Sequence, residues 1–171
     1  MTAGAALPSD SQANAGFDPQ DRISRIDIDP QSLASSSAEV EHERQVAIFD
    51  LIEKNAFQPV KGTGGPYALR LALEENRLIF DITGPAFNQA VILSLAPFRS
   101  VSRDYGLICA SYYEALRNAT PGQIEAIDMG RRGLHNDGAD LVQQRLEGKV
   151  RMDRETARRL FTLIHALHQR G

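Results

Sequence analysis

The sequence has little of several residue types that would narrow its function. It has one cysteine, Cys109, in 171 residues, so no disulfide can form within the chain. It has no apolar run approaching the roughly 20 residues that span a membrane. Its 19 basic and 22 acidic residues leave a net charge of −3. This balance excludes a protein that binds nucleic acid or membrane surfaces through bulk charge alone.

What remains is the composition of a globular domain, with 42% hydrophobic and 24% charged residues. A chain of this mass buries about 70% of its surface on folding, so it can form a core without disulfides. Among the basic residues only Lys54, Lys61 and Lys149 are lysines, and the others are arginines. This excess of arginine indicates either recognition of anions or the codon preference of a GC-rich genome.

The chain divides into a tail and one domain. Residues 1–20 are rich in Ala, Ser, Gly, Gln and Pro, which predicts a flexible tail because such a segment cannot bury enough apolar surface to fold. Residues 21–171 are predicted to form a single domain. An Ala-Asn-Ala stretch at 13–15 has neither a basic start nor an apolar core before it. We therefore expect no export and a cytoplasmic location.

The hydrophobic periodicity predicts strands first and helices later. Residues 22–29 alternate as a short strand, and a capping-box pattern of Ser36 and Glu39 opens a helix over 37–55. Three further strands form an antiparallel meander, and the period then changes to that of helices. The predicted later elements are strands over 67–73, 77–83 and 89–95, a helix over 101–119, a helix starting at Pro121 and a final helix capped by Asp153.

This order, β-α-βββ-ααα, predicts an α+β fold in which helices cover one face of a small, mostly antiparallel sheet of about four strands. The first strand is expected at an edge. Whether 121–148 forms one helix or two stays open, because Gly130, Gly133 and Gly138 interrupt it.

Several strings resemble an uncharacterised protein family of alphaproteobacteria over roughly residues 21–171. The resemblance implies a small bacterial cytoplasmic protein, and it carries no activity, cofactor or catalytic residue onto this chain. The strings are EHER at 41–44, VAIFDL at 46–51, GGPY at 64–67, LSL at 93–95, PFR at 97–99, SYYEA at 111–115, TP at 120–121, QIEAIDMGRRGLHN at 123–136 and TARRLFTLI at 156–164.

The densest polar group lies at Asp128, Arg131, Arg132 and His135. On a continuous helix the spacings i, i+3, i+4 and i+7 place all four on one strip. Two guanidiniums oriented by a carboxylate beside an imidazole would bind a small carboxylate or phosphate, with His135 as an acid or base. The same spacing is also typical of an intrahelical ion-pair network that only stabilises the helix.

Three other polar groups favour structural roles. Glu39 and His42 form one Glu-x-x-His, whereas di-iron bundles use two, and the helical wheel directs His42 away from the apolar face, so we expect it to be solvated rather than to bind a metal. His165 and His168 lie one turn apart without a cysteine or carboxylate, so we expect His168 to be a hydrogen-bonded core residue. Cys109 lies in an apolar stripe and is expected to pack as a small hydrophobe. We assign no catalytic residue, cofactor or metal ligand.

The sequence therefore leaves two main functional hypotheses. The first is a non-catalytic interaction or regulatory module, as a homo-oligomer or with another protein, that uses a sheet edge or an exposed sheet face. The second is a small-anion-binding protein or enzyme built on the 128–135 strip. Nucleic-acid binding is a weaker third reading, because no basic helix is interleaved with aromatic residues.

Overall fold

The computed structural model describes residues 16–168 and confirms the α+β class and the order of the main elements. Helices and the larger sheet enclose one hydrophobic core. The strands are β1 (Ile23–Ile28), β2 (Phe57–Pro59), β3 (Tyr67–Glu74), β4 (Arg77–Gly84), β5 (Phe87–Ser94) and β6 (Val150–Met152), and the helices are α1 (Ala38–Glu53), α2 (Arg99–Asn118), α3 (Pro121–Arg145) and α4 (Arg154–His168), with short 3-10 segments at Pro30–Ser32 and Ala96–Phe98.

The larger sheet has the strand order β1-β3-β4-β5. As expected, β1 is an edge strand, and it runs parallel to β3, while the other pairs are antiparallel. The β3–β4 connection is tight, and both Glu75 and Asn76 have positive φ, at 46° and 65°, as two-residue hairpin turns require. Alternating side chains give the sheet one buried face and one exposed face. The buried face includes Tyr67, Leu69, Leu71, Leu78, Phe80, Ile82, Val91 and Leu93.

Helix α1 begins one residue later than its capping pattern predicts. Ser37, not Ser36, is the N-cap, and its Oγ accepts a hydrogen bond from the Val40 N–H at 3.2 Å. The Ser36 hydroxyl instead accepts from the Arg44 guanidinium at 3.1 Å. Arg44 is only 3% exposed, so its buried charge competes for the oxygen that would otherwise cap the helix.

Helix α4 occupies the centre of the helical layer. Asp153 caps it as predicted, since its Oδ1 accepts from the Thr156 N–H at 2.9 Å. Both α1 and α3 pack against it. Its buried residues are Thr156, Ala157, Leu160, Phe161, Leu163, Ile164, Ala166 and Leu167, so nearly every side of α4 contacts another part of the chain.

Helix α3 is one continuous helix, which settles the question left open by its glycines. The predicted capping box is present, because Thr120 Oγ1 accepts from the Gln123 N–H while Gln123 Oε1 accepts from the Thr120 N–H. Gly138 is buried against the ring of Phe161. A helix glycine here permits close packing of α3 on α4. Across residues 16–168, no helix is both long and apolar enough to cross a membrane.

A second, two-stranded sheet pairs β2 with β6 antiparallel, and it was not predicted. Each strand has three residues, too few to show a period. Most of the predicted tail, residues 1–15, lies outside the described residues. From residue 16 onward the chain contacts β6: the Arg151 guanidinium lies 4.8 Å from the centre of the Phe17 ring and donates to the Gly16 carbonyl.

Candidate functional site

The predicted strip forms part of one face of α3, and its acidic member holds both arginines. Asp128 Oδ1 lies 2.5 Å from Arg131 Nη2, and Asp128 Oδ2 lies 2.9 Å from Arg132 Nη2. The hydrogen bond from Arg131 is the main reason that the pKa of Asp128 is lowered. The side chains are 18%, 34% and 69% exposed for Asp128, Arg131 and Arg132, so both cations remain open to solvent.

His135, the fourth member of the strip, faces α4 instead. Its Nε2 lies 2.9 Å from both the Arg158 carbonyl oxygen and Thr162 Oγ1. Because a carbonyl oxygen only accepts, we assign the ring hydrogen to Nε2. The ring stacks on Tyr105 with centroids 5.5 Å apart, and burial lowers its pKa. The structure therefore brings Asp128, Arg131 and Arg132 together at the surface and separates the His135 ring from them.

A cluster of aromatic and imidazole rings lies behind the strip. Tyr105 contacts His135, Phe161 and His165, with centroid distances of 5.5, 5.5 and 5.0 Å. His165 Nδ1 also lies 2.8 Å from Ser102 Oγ. Burial lowers the pKa of His165 to about 4, and it raises the pKa of Tyr105. Both groups are therefore uncharged near neutral pH.

The cluster forms one side of a groove, which we call the α1–α2 groove. It has a volume of about 280 Å³, and α1 and α2 form its walls while α4 forms its floor. The lining residues are His42, Glu43, Val46, Ala47 and Asp50 from α1, Tyr105, Cys109 and Tyr113 from α2, and Thr162, His165 and Ala166 from α4. Sequence reasoning missed the groove, because the three helices meet only through tertiary packing.

Cys109 is half-buried in this groove, in keeping with the expected packing role. Burial is the main cause that raises the pKa of its thiol, while a hydrogen bond with Tyr105 and the charge of Arg131 lower the pKa by less. A cysteine activated for nucleophilic attack has a lowered pKa instead. His42, from the single Glu-x-x-His, is exposed at the rim of the groove as the helical wheel predicts.

A second cavity, of about 370 Å³, lies where the β3–β4 turn meets the ends of α2 and α4. Arg44, Arg99 and His168 line it together with the carboxylates of Glu74 and Glu75. The expectation for His168 is wrong in one respect: its Nε2 is buried but makes no hydrogen bond to any described residue. Burial, and after it the positive charge of Arg99, lower the pKa of His168, because both disfavour the protonated imidazole.

The outer edge of β5 is the other prominent feature. Within residues 16–168, β4 is the only strand that pairs with β5. The pairing is continuous from Phe87 to Ser94 without a bulge. Ile92 is 46% exposed, and the Lys149 ammonium lies 3.5 Å from the Ile92 carbonyl oxygen. Among the described residues, no group of three or more His, Cys, Asp or Glu side chains has a geometry that could hold a metal ion.

Fold and site together define a small α+β protein with a helix-lined groove, a surface arginine pair and a sheet edge that no other strand of residues 16–168 covers. The chain belongs to the uncharacterised protein family UPF0262, whose model matches residues 20–170. This confirms the resemblance to an alphaproteobacterial family.

Curated relatives match nearly the whole chain. A UPF0262 protein of Caulobacter vibrioides (strain NA1000 / CB15N) is 57% identical over 165 residues, covering 96% of this chain and all of the relative. Relatives from Phenylobacterium zucineum and Brucella anthropi are each 57% identical, over 150 and 156 residues. These matches cover 88% and 90% of this chain, and 94% and 97% of the relatives. No solved structure matches the chain significantly.

Proposed function

We propose that this protein is a non-catalytic interaction module that pairs with a second copy of itself through the edge of β5. One observation carries the proposal: an eight-residue edge strand, FNQAVILS, contains no charged residue, no proline and no bulge. Monomeric proteins protect exposed edge strands with charged residues, prolines or bulges, because an unprotected edge pairs with other chains. A strand that lacks all three is suited to pairing.

The backbone direction along β5 defines the groups available to a partner. The N–H of Leu95, just after β5, donates to the Asn76 carbonyl on the β4 side at 3.0 Å. In an antiparallel strand, alternate residues direct their backbone groups to opposite sides. Asn88, Ala90, Ile92 and Ser94 therefore direct their N–H and C=O groups outward. A second β5 can pair with these groups.

A two-fold axis at Val91 gives a suitable register. Ala90 then lies opposite Ile92 of the second copy, and Asn88 lies opposite its Ser94. The four-stranded sheets of the two copies then form one continuous sheet of eight strands. Lys149, now near the Ile92 carbonyl, has to move aside, which its flexible side chain allows. A strand pair is small beside the ~1,200 Å² of a stable interface, so we expect the dimer to dissociate on dilution.

The side chains best able to do chemistry support binding rather than catalysis. His135 and His165 are held in hydrogen bonds and ring contacts between helices, and the thiol of Cys109 has a raised pKa. As part of the same proposal, we place the protein in the cytoplasm, where a lone thiol stays reduced.

The test is sedimentation or light scattering over a range of protein concentrations. We expect the native chain to reach twice its mass of 18.8 kDa, and Ala90→Lys to weaken the dimer at least roughly tenfold, since a charge on an edge strand opposes pairing. Thr83→Lys is the matched control, because it puts the same charge on the exposed face of β4, an interior strand. A native chain that stays monomeric throughout, or equal dissociation by both variants, would refute the proposal.

A second candidate function is the binding of a small carboxylate or phosphate at Arg131 and Arg132. The observation that favours it is that one carboxylate, Asp128, holds both guanidiniums at the surface, and the Arg131 guanidinium also lies 4.6 Å from the centre of the Tyr112 ring. Such fixed guanidiniums suit bidentate binding of an anion.

A thermal-shift titration with inorganic phosphate and with citrate tests this candidate. Binding should raise the melting temperature of the native chain, and the rise should disappear in Arg131→Ala. Arg103→Ala, on an exposed arginine of α2, should retain it. If neither anion stabilises the native chain, the ion pairs only stabilise α3.

A further inference from the structure

We propose that the α1–α2 groove binds a basic amphipathic helix of a partner protein. This surface goes beyond self-pairing, because it is formed by helices alone and does not involve β5. The proposal rests on the length of the groove, its apolar lining and the sign of the charge along one wall.

The walls have the length of a short helical segment. His42 and Asp50 are eight residues apart on α1, and so are Tyr105 and Tyr113 on α2. At 1.5 Å per residue each wall is about 12 Å long, or two helical turns. A helix that binds in a groove uses side chains at positions i, i+3, i+4 and i+7, which span a similar length. The groove therefore matches the contact face of two helical turns.

The lining gives such a helix apolar contacts. Val46 is 44% exposed and Tyr113 is 69% exposed, although both line the groove. Between them lie Ala47 and Ala166, which are 3% exposed, and small side chains let a partner approach closely. Val46 and Tyr113 therefore offer apolar surface on facing walls, which the apolar side chains of a partner helix can cover.

The charge on the α1 wall selects a basic partner. Glu43 and Asp50 are both exposed and lie two turns apart on the same wall. The imidazole of His165 on the floor is neutral near pH 7, because burial lowers its pKa to about 4. Within residues 16–168, the lining contains no lysine or arginine. Arginine or lysine side chains flanking the apolar anchors would meet both carboxylates and the face of Tyr113.

Cys109 makes binding measurable at the groove itself. It is the only cysteine of the chain and lines the groove, so the rate at which a thiol reagent alkylates the folded protein reports on this position. The probe is a synthetic helical peptide with leucines at i, i+4 and i+7 flanked by arginines. Its matched control has glutamates in place of the arginines. Fluorescence anisotropy measures the affinity of each peptide.

We expect the basic peptide to bind and to slow alkylation of Cys109, and the acidic peptide to do neither. The double variant Glu43→Lys/Asp50→Lys should weaken binding at least roughly tenfold, because it places like charges against the peptide. Glu114→Lys is the control: it reverses one charge at an exposed residue of α2 outside the groove, and it should leave the affinity unchanged. Circular dichroism melts confirm that each variant is folded.

Four results with the peptides would overturn the proposal. These are no binding by the basic peptide, binding without protection of Cys109, equal binding by the acidic peptide, and equal weakening by Glu114→Lys. Protection of Cys109 by a simple alkylamine but not by the peptide would also overturn it, since the groove would then be a small-molecule site. None of these outcomes depends on the dimerisation of β5.

Discussion

Two glycines of α3 give opposite predictions for the same substitution. At Gly133 a Cβ atom would meet nothing within 4 Å, whereas at Gly138 it would lie 2.5 Å from Cγ of the Phe161 ring. Alanine is favoured over glycine in a helix interior by about 1 kcal/mol. Gly133→Ala should therefore stabilise the protein by about that amount.

At Gly138 the steric cost exceeds the gain in helix propensity. The Phe161 ring is 0% exposed, and its centre lies 5.5 Å from that of Tyr105 and 5.8 Å from that of His135, so it has little room to move. Overpacking of this kind costs about 1–3 kcal/mol, and the clamped ring places the cost near the upper end. After the gain of about 1 kcal/mol, Gly138→Ala should destabilise the protein by about 2 kcal/mol.

Urea unfolding followed by circular dichroism measures the difference. The two variants should differ by about 3 kcal/mol in free energy of unfolding, or roughly 6–12 °C in melting temperature for a chain of this size. Phe161→Leu should reduce the cost of Gly138→Ala in a double-mutant cycle. If both alanine variants stabilise the protein equally, close packing of α3 on α4 at Gly138 is refuted.

Three further predictions concern ionisable groups. The pKa of His165 falls from 6.5 to about 4 on folding, so between these pH values the unfolded chain binds a proton that the folded chain does not. The free energy of unfolding should therefore decrease by about 3 kcal/mol as the pH falls from above 6.5 to about 4. Urea unfolding of His165→Gln should show a flatter pH dependence. Burial raises the pKa of Cys109, so its thiol should react more slowly with iodoacetamide in the folded protein than in the urea-unfolded chain; equal rates in the two states would contradict this. Asp128→Asn should lower the free energy of unfolding by less than Gly138→Ala does, because Arg132 is exposed and Arg131 is only partly buried, and ion pairs near solvent contribute little. A loss in urea unfolding larger than that of Gly138→Ala would mean that the network is a main source of stability.

The sequence predicts most of the fold because the long elements carry their own periodicity. The meander of β3 to β5 alternates regularly, and the caps at Thr120 and Asp153 lie where their hydrogen-bonding side chains indicate. The pair β2 and β6 could not be predicted, since three-residue strands about 90 residues apart have no local signal. Gly138 likewise gives no local signal of its role, since the ring that packs against it, Phe161, belongs to α4.

The candidate sites show the same limit. Helical spacing places Asp128, Arg131 and Arg132 together, and the ion pairs confirm that arrangement. Spacing alone could not show that His135 faces α4. A helical wheel gives the directions of the side chains around one helix, but it does not show which other helix packs against each face. The α1–α2 groove depends on three helices at once. The sequence shows Glu43 and Asp50 of its acidic wall two turns apart on one helix, but the apolar lining appears only after the three helices pack.

The two proposed surfaces are compatible, and this has a consequence for affinity. Pairing uses the outer edge of β5, whereas the groove lies in the helical layer, so each dimer would carry two grooves. A partner with two basic helices on a linker long enough to reach both would bind the second groove at a high effective concentration. Ala90→Lys should then weaken binding of that bivalent partner while the affinity for a single helix stays the same. A parallel loss of both affinities would mean that β5 and the groove do not act as separate surfaces.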